Sequence, residues 1–374
     1  MDLKISRNAV LAQSNDLRFM ALALALGRRG LGRTWPNPAV GAVIVRNGVI
    51  IGRGWTQAGG RPHAEVEALR RAGDAARGAT LYVTLEPCAH HGKSPPCADA
   101  VIAAGIARVV SAMEDPNPEV GGKGHARLRA AGIAVDVGCG SEEARRDHAG
   151  HIRRMRDGGP QVMLKLAISA DGKAAAAGRK PFAITGAAAW ARVQLLRARS
   201  DAIMIGAGTA RADDPVLTCR LPGMAAWSPV RVVLDTRLLL PAQSRLVQTA
   251  RQVPVWVFGA VEDGPAAATL RGHGVEVLTV PVGAAGRLDL AAVLQSLASR
   301  GITRLMVEGG PMLAAALIAA DLVDEAVLFH SPAVVGADGV DALEADAEKL
   351  LRHRLRLTGS EVFVLDKADH WERN

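Results

Sequence analysis

A histidine, a glutamate two residues after it and two cysteines further on form the set of side chains in this sequence best fitted to hold a metal and move protons beside it. His63 and Glu65 stand in RPHAEVEAL, Cys88 follows Pro87, and Cys97 closes the eight-residue loop AHHGKSPP. An imidazole and two thiolates make three N/S ligands and leave the fourth corner of a tetrahedral zinc site for water. A carboxylate that lies near the metal without binding it can take a proton from that water and return it to a ring nitrogen and a departing amine. This is the chemistry of hydrolytic deamination at an amidine-like ring carbon. Singly, buried thiols or a capping histidine would explain each residue; the set, with its prolines and its His-x-Glu spacing, is read as a catalytic zinc site. The loop between the cysteines is longer than the two residues usual in such sites, and His90, His91 and Lys93 on it suit a phosphorylated substrate.

A second candidate lies far downstream. In LMVEGGPMLAAAL a strand, Gly309-Gly310, Pro311 and a helix follow one another, and the N–H groups at such a helix start attract phosphate. GAGTAR, at 206–211, has only the first two glycines of a dinucleotide fingerprint and alone is weak. Asp213-Asp214-Pro215 reads as a turn, Arg197 as a helix-face residue and Lys165 as a strand residue.

Elements must carry these groups. Asn15-Asp16 reads as the cap of a helix through LRFMALALALGRR, and GAVIVRNGVIIGRGW as a hairpin turned at Asn47-Gly48. A helix from His63, a strand over 79–87, a helix from Pro96-Cys97, the strand ARVVSAM, a helix over GHARLRAAG and the strand IAVDVG follow. The His63 and Cys97 motifs both fall where helices begin, so their ligands can converge at one sheet edge. The basic stretch SEEARRDHAGHIRRMRDGGP ends at Gly158-Gly159-Pro160, which places a boundary between domains 1–157 and 158–374. Beyond it VMLKLAIS, DAIMIG, VRVVLD, VPVWVFG, VEVLTVPV, RLMVEGG, EAVLFHSP and EVFVLD are strand-like, with helices WARVQLLRARS, LAAVLQSLASRG and MLAAALIAADL between them. Residues 338–356 read as one surface helix. The whole is α/β in class, in two domains.

At 374 residues, 49% apolar and 22% charged, the chain is neither disordered nor fibrous. Its formal charge of +8 sits almost entirely in residues 1–157, where 22 basic and 15 acidic side chains leave +7. That excess admits a rival reading, a zinc deaminase acting on a nucleic-acid base. Only twelve aromatic residues are present (six Trp, one Tyr, five Phe), few for stacking bases, and the long cysteine loop and second α/β domain also argue for a small substrate. A zinc-stabilised binding module would need four ligands, and three have convincing spacing. Four cysteines, no basic-then-apolar leader and no apolar run near a membrane-spanning length place the chain in the cytoplasm, without membrane or nucleic-acid partners.

PNPAVGAVIV, RPHAEVEAL, TLEPCAHHGKSPPCADAVIAAGIARVV and EDPNPEVGGKG, then KLAISADGKAA, QLLRARSDAIMIGAGTARADDPVLTCR, VVLDTR and VEGGPML, resemble the bifunctional deaminase/reductase family of riboflavin biosynthesis over almost the whole chain. The resemblance implies a cytidine-deaminase-like three-layer domain followed by a dihydrofolate-reductase-like domain. It implies deamination of a diamino-pyrimidinone ribosyl phosphate, then NADPH-dependent reduction of the ribosyl group to ribityl. Residue by residue it assigns one Zn²⁺ per chain to His63, Cys88 and Cys97, proton transfer to Glu65, and substrate contacts to Asn37, His90 and Lys93. In the second domain it assigns Lys165 as catalytic, Arg197, Leu217, Arg220 and Glu308 to substrate, with both arginines as phosphate clamps. Ala167, Thr209, Asp213, Thr236, Gly310, Pro311, Met312, Leu313, Ala314, Ala315 and Ala316 fall to the cofactor, and Arg237 is a candidate for its 2′-phosphate. The family implies a homo-oligomer built through the second domain. Two positions depart from its pattern: Thr56 stands where a histidine is frequent, and Ala183 where a tryptophan is common.

Overall fold

GAVIVR is apolar almost throughout and buried except at its last residue, as a strand covered by helices on both faces requires, while VIIGRGW is buried only toward its end. The computed structural model describes residues 7–92, 94–180, 182–283 and 286–373; Lys93 lies outside the described residues. The chain divides after Gly158 into two compact units.

In the first unit α1 (Arg7–Gly27) leads into the hairpin β1 (Gly41–Arg46) and β2 (Val49–Trp55). Asn47 and Gly48, both at positive φ, make its two-residue turn. Then come α2 (Ala64–Ala72), β3 (Thr80–Val83), α3 (Cys97–Ala103), β4 (Arg108–Ser111), α4 (Lys123–Ala130), β5 (Ala134–Val137), α5 (Ser141–Asp147) and α6 (Ala149–Asp157). The sheet order is β2-β1-β3-β4-β5, antiparallel around β1 and parallel from β3 to β5. The first helix starts eight residues before the expected cap at Asn15. Asp16 is inside it, where its carboxylate accepts hydrogen bonds from Tyr82 Oη (2.6 Å) and from Arg108 (3.0 and 2.7 Å); a tertiary partner, not the helix end, uses that side chain.

Two glycines show how tightly the layers meet. A Cβ on Gly41 would fall 1.8 Å from the Ala23 carbonyl oxygen of α1, and one on Gly54 would fall 2.1 Å from the Ala64 carbonyl oxygen of α2. Gly54 pairs with Ala42, the neighbour of Gly41, so α1 and α2 cover opposite faces. Helix α3 touches α2 and α4 touches α3, while α5 touches α1. The unit is therefore the three-layer sandwich implied by the resemblance, with Val43, Ile44, Leu81, Val83 and Val109 fully buried in its middle layer.

The second unit contains β6 (Gln161–Ile168), β7 (Lys173–Ala175), α7 (Ala187–Ala198), β8 (Ala202–Gly206), α8 (Ala207–Asp213), β9 (Val230–Leu234), α9 (Arg245–Gln248) and β10 (Val255–Gly259). It continues with α10 (Pro265–Gly272), β11 (Glu276–Thr279), α11 (Leu290–Ser299), β12 (Arg304–Val307), α12 (Pro311–Ala319), β13 (Glu325–His330), β14 (Val340–Asp341), α13 (Ala345–Arg354), β15 (Leu355–Phe363) and β16 (Asp366–Arg373). Nine strands form one sheet in the order β11-β10-β9-β8-β12-β6-β13-β16-β15. It is parallel from β11 to β13 and ends in an antiparallel hairpin. Strand β16, DKADHWER, has no apolar alternation to announce it. The 338–356 segment is not one helix; β14 pairs with β7 before α13 begins.

Gly54→Ala should force α2 off the sheet, costing the first unit about 1–3 kcal/mol. Calorimetry should show its unfolding transition lowered, and an unshifted transition would refute this close approach.

Candidate active sites in the two units

Helix α2 begins at Ala64 with His63 as its extended N-cap residue, and Glu65 sits in its first turn. Helix α3 begins at Cys97 itself, after Pro96. Cys88 lies on the segment leaving β3, where its carbonyl accepts from Ala98 N (3.1 Å) and its sulfur from Cys97 N (3.3 Å). The start of α3 thus donates to Cys88, a setting that favours thiolate.

His63 Nδ1 is 3.7 Å from Cys88 Sγ and 3.3 Å from Cys97 Sγ, and the three ligand atoms lie within 4.8 Å of one another. Zinc bonds of about 2.0 Å to nitrogen and 2.3 Å to sulfur, at a tetrahedral angle, would set those atoms about 3.6 Å apart. The spacing and donor types fit one zinc ion. Hydrogen bonding from Cys97, and then from His63, holds the Cys88 thiol down at about 4 against burial, while the bond to Cys88 and burial push Cys97 up.

Glu65 is buried but outside that ligand cluster. Burial pushes its carboxyl up to about 7, with His63 pulling the other way and Cys88 adding to the rise. A group at that pKa accepts and returns protons near neutrality.

Asn37 Nδ2 donates to the Gly60 carbonyl (2.8 Å), three residues before His63, and Gly60 has φ +82° with the Asn37 side chain where a Cβ would be. His90 is exposed on the cysteine loop. Sequence reasoning passed over Arg61, whose guanidinium donates to Ser94 Oγ on the same loop; an arginine preceding Pro62-His63 was the available signal. Thr56 is buried, and its Oγ1 accepts from Val40 N (3.0 Å), so it fixes the entry to β1.

A second cluster, Glu86, Glu114 and His125, also has ligand atoms within 4.8 Å of one another, but Glu86 is committed to backbone donors. Glu86 accepts from the backbone N–H groups of Asp115 (3.1 Å), Gly122 (2.9 Å), Gly124 (2.7 Å) and His125 (3.0 Å). Its lone pairs are used in tying EDPNPEVGGKG to the end of β3.

In the second unit, β12 runs beside β6 with Val307 opposite Leu164, which sets Glu308 beside Lys165. Glu308 takes the Arg197 guanidinium bidentately, at 2.7 Å to Nε and 2.9 Å to Nη2. Arg197 Nη1 also donates to the Thr218 carbonyl (3.2 Å). Arg197 is thus neither a solvated helix-face residue nor free to clamp a phosphate, because a neighbouring carboxylate already occupies its fork. Arg220 is exposed, its guanidinium 5.2 Å from the Trp190 ring centroid. Burial pushes the Lys165 ammonium below the usual lysine range, with Glu308 opposing and Arg197 assisting that shift; its Nζ lies 5.7 Å from the Phe329 ring centroid. Ala183 and Phe182 are exposed.

The cofactor candidates gather at the carboxyl ends of adjacent parallel strands. Strand β8 passes through Gly206 into α8, and β12 through Gly309-Gly310 into α12 with Pro311 at its first turn. Gly310 N donates to Thr209 Oγ1 (3.2 Å), joining the two turns. A Cβ on Gly206 or Gly208 would have no neighbour under 3.9 Å, so the turn into α8 is open to a phosphate, whereas one on Gly309 would fall 2.6 Å from Leu313 Cδ2 and one on Gly310 3.3 Å from Thr209 Oγ1. Met312, Leu313, Ala314, Ala315 and Ala316 follow in α12, Asp213 ends α8, Thr236 follows β9, and Ala167 lies two residues from Lys165 on the same face of β6. Arg237 is exposed next to Thr236. Leu217 is buried with φ +57°.

Residues 160–366 match the family described as the RibD C-terminal domain, and residues 13–113 match the cytidine and deoxycytidylate deaminase zinc-binding region. The riboflavin biosynthesis protein RibD of Escherichia coli (strain K12) is 42% identical, covering 93% of this chain and 98% of its own length. Its Bacillus amyloliquefaciens counterpart is 42% identical over 85% of each. Among solved structures, Acinetobacter baumannii RibD superposes with a TM-score of 0.87 at 36% identity, covering 97% of this chain and 99% of that one. A Thermotoga maritima deaminase/reductase gives 0.84 at 34% identity, over 97% and 100%. Because these relatives match across both units, the nucleic-acid reading gives way, and the chain belongs to the RibD family of riboflavin biosynthesis, a zinc-dependent deaminase joined to an NADPH-dependent reductase.

Proposed function

We propose that the first unit removes the 2-amino group of 2,5-diamino-6-ribosylamino-4(3H)-pyrimidinone 5′-phosphate, and that the second reduces the ribosyl group of the product, 5-amino-6-(5-phosphoribosylamino)uracil, to ribityl. The carrying observation is the convergence of His63, Cys88 and Cys97 with Glu65 buried beside them and outside the ligand cluster. His63, Cys88 and Cys97 hold the zinc, which when bound makes water nucleophilic at neutral pH. Glu65 accepts the water's proton and delivers protons to the ring nitrogen and the leaving ammonia. Asn37 and His90 contact the substrate; Lys93 keeps the role the resemblance gives it. Arg61 braces the cysteine loop.

In the second unit NADPH supplies the hydride, and the turns at Gly206–Thr209 and Gly310–Ala316, with Ala167, Asp213 and Thr236, hold it. Lys165 delivers a proton to the imine nitrogen of the ring-opened form as its C1′ carbon is reduced. Glu308 keeps that ammonium charged and orients sugar hydroxyls, and Arg197 holds Glu308 in place. Arg220, which has no carboxylate partner among the described residues, takes the substrate phosphate with Leu217 beneath it.

Four free cysteines suit a reducing cytoplasm. The chain associates as a homo-oligomer through the second unit: β15 is an edge strand, and Val362, Val364 and Leu365 at its hairpin are 76%, 87% and 76% exposed, a surface that pairs readily. Light scattering at micromolar concentration should give a multiple of the chain mass; a monomer would overturn this.

Glu65→Gln should keep one zinc per chain by elemental analysis while ammonia release falls by about two orders of magnitude or more; loss of the metal would remove Glu65 from the catalytic role. Lys165→Ala should abolish NADPH oxidation and leave ammonia release intact. The reductase rate should fall at high pH as Lys165 loses its proton below the usual lysine range. Since Glu308 raises that pKa, Glu308→Gln should move the limb to lower pH, and a limb that stayed in place or moved up would exclude the assignment.

A further inference from the structure

The buried guanidinium of Arg231 belongs to neither reaction as described above. Arg231 lies on β9, 0% exposed, among the largest fully buried side chains, and no carboxylate lies within ion-pair distance among the described residues. Its Nη1 donates to the Val216 carbonyl (3.2 Å) and to Thr249 Oγ1 (2.7 Å), and its Nη2 to the carbonyls of Thr249 (3.0 Å) and Val253. Burial lowers its pKa to about 10, so it stays charged at neutral pH and is stabilised there by carbonyl dipoles.

What it holds is unusual backbone. Asp214 (φ +37°) and Leu217 (φ +57°) are both in the left-handed region, on either side of Val216. A non-glycine residue, least of all a branched leucine, does not remain there unless its surroundings over-determine it. They do so at nearly every step. Asp214 Oδ1 accepts from Arg245 N (2.8 Å), Val216 O is held by Arg231, and Thr218 O by Arg197. Cys219 N donates to Ser228 Oγ (3.1 Å), and Arg220 N to the buried Gln194 Oε1 (2.9 Å). The outcome is an Arg220 whose Cα is fixed while its guanidinium remains exposed.

We propose that Arg231 is a positioning residue for substrate recognition in the reductase: by clamping the Val216 carbonyl it keeps the Asp214–Arg220 segment in its strained course and so presents Arg220 to the substrate phosphate. This rests on the reading of Arg220 as the phosphate contact. The segment could not relax to ordinary φ values without swinging Arg220 away, which would loosen phosphate binding before it touched the chemistry at Lys165.

Arg231→Met keeps most of the bulk and removes the donors, and desolvation of a charge no longer opposes folding. Thr249→Val removes one acceptor near the surface and leaves Arg231 in place. Steady-state reduction is measured with the phosphorylated uracil substrate and with its dephosphorylated ribosyl counterpart, with ammonia release by the first unit as a control. For Arg231→Met the expected result is a KM for the phosphorylated substrate raised at least tenfold, kcat within threefold of the parent, and a preference for phosphate reduced at least fivefold. Thr249→Val should move the same quantities by two- to threefold. Arg220→Ala separates the two readings. If it abolishes the phosphate preference while Arg231→Met and Thr249→Val leave that preference intact, the positioning role is overturned and Arg220 stands. If Arg220→Ala keeps the preference, the phosphate contact itself is wrong and the role of Arg231 falls with it. Equal losses for both substrates in Arg231→Met would likewise overturn the proposal, since a merely structural arginine predicts that pattern.

Discussion

The nitrogen of His63 and the sulfurs of Cys88 and Cys97 can share one ion only if the first turns of α2 and α3 are pressed together against one edge of the sheet. Gly54 makes the approach of α2 possible, since any side chain there would enter the Ala64 carbonyl. The amides at the start of α3 then meet Cys88 directly, at 3.1 Å to its carbonyl and 3.3 Å to its sulfur. Because His63 is the N-cap residue and Cys97 the first residue of α3, the two helix starts bring both donor side chains to within 3.3 Å of each other.

The reductase unit solves a different problem, the burial of several charges close together. Lys165, Arg197 and Glu308 carry two positive charges and one negative, with the Arg197–Glu308 pair only 9% and 11% exposed. Removing one member of such a pair typically costs about 3–5 kcal/mol, because the other is left buried alone. The pair is therefore a fixed element, and Lys165, whose ammonium burial disfavours, is the member free to exchange a proton. The three arginines of this region differ in partner: the Glu308 carboxylate for Arg197, carbonyls and the Thr249 hydroxyl for Arg231, and the Trp190 ring for Arg220.

The chemistry-bearing residues of the first unit were legible because they are short-range motifs at helix starts, and His-x-Glu with two proline-flanked cysteines has few structural meanings. The alternation of strands and helices announces a helix-covered sheet, and the three-layer order is implied by the family resemblance. What the sequence concealed is mostly tertiary. Asn15-Asp16 has the chemistry of a cap, yet Asp16 is committed to Tyr82 and Arg108, residues distant in sequence. Arg197 carries the spacing of a surface helix residue, and only the tertiary fold, which brings α7 to Glu308 at the end of β12, reveals the carboxylate it meets. Strand β16 is polar along its length and is defined by pairing with β13 and β15 rather than by its own pattern. Arg231 reads as an out-of-place charge in VRVVLD until the carbonyls of three separated residues are seen around it.

Glu65 and Glu86 show how environment divides identical side chains. Both are buried in the first unit, each two residues in sequence from a proposed zinc ligand, Glu65 after His63 and Glu86 before Cys88. Glu86 accepts from four backbone N–H groups and so holds Gly122–His125 against the segment that carries Cys88. The fit leaves no margin, since a Cβ on Gly124 would stand 2.0 Å from the Pro87 carbonyl oxygen. Glu65 lacks such a ring of donors, and burial raises its carboxyl to about 7. A proton is therefore gained and lost at Glu65 near neutrality. The EDPNPEVGGKG segment is thus tied in place by Glu86, while Glu65, the glutamate proposed to move protons, is left with a carboxyl that ionises near neutrality.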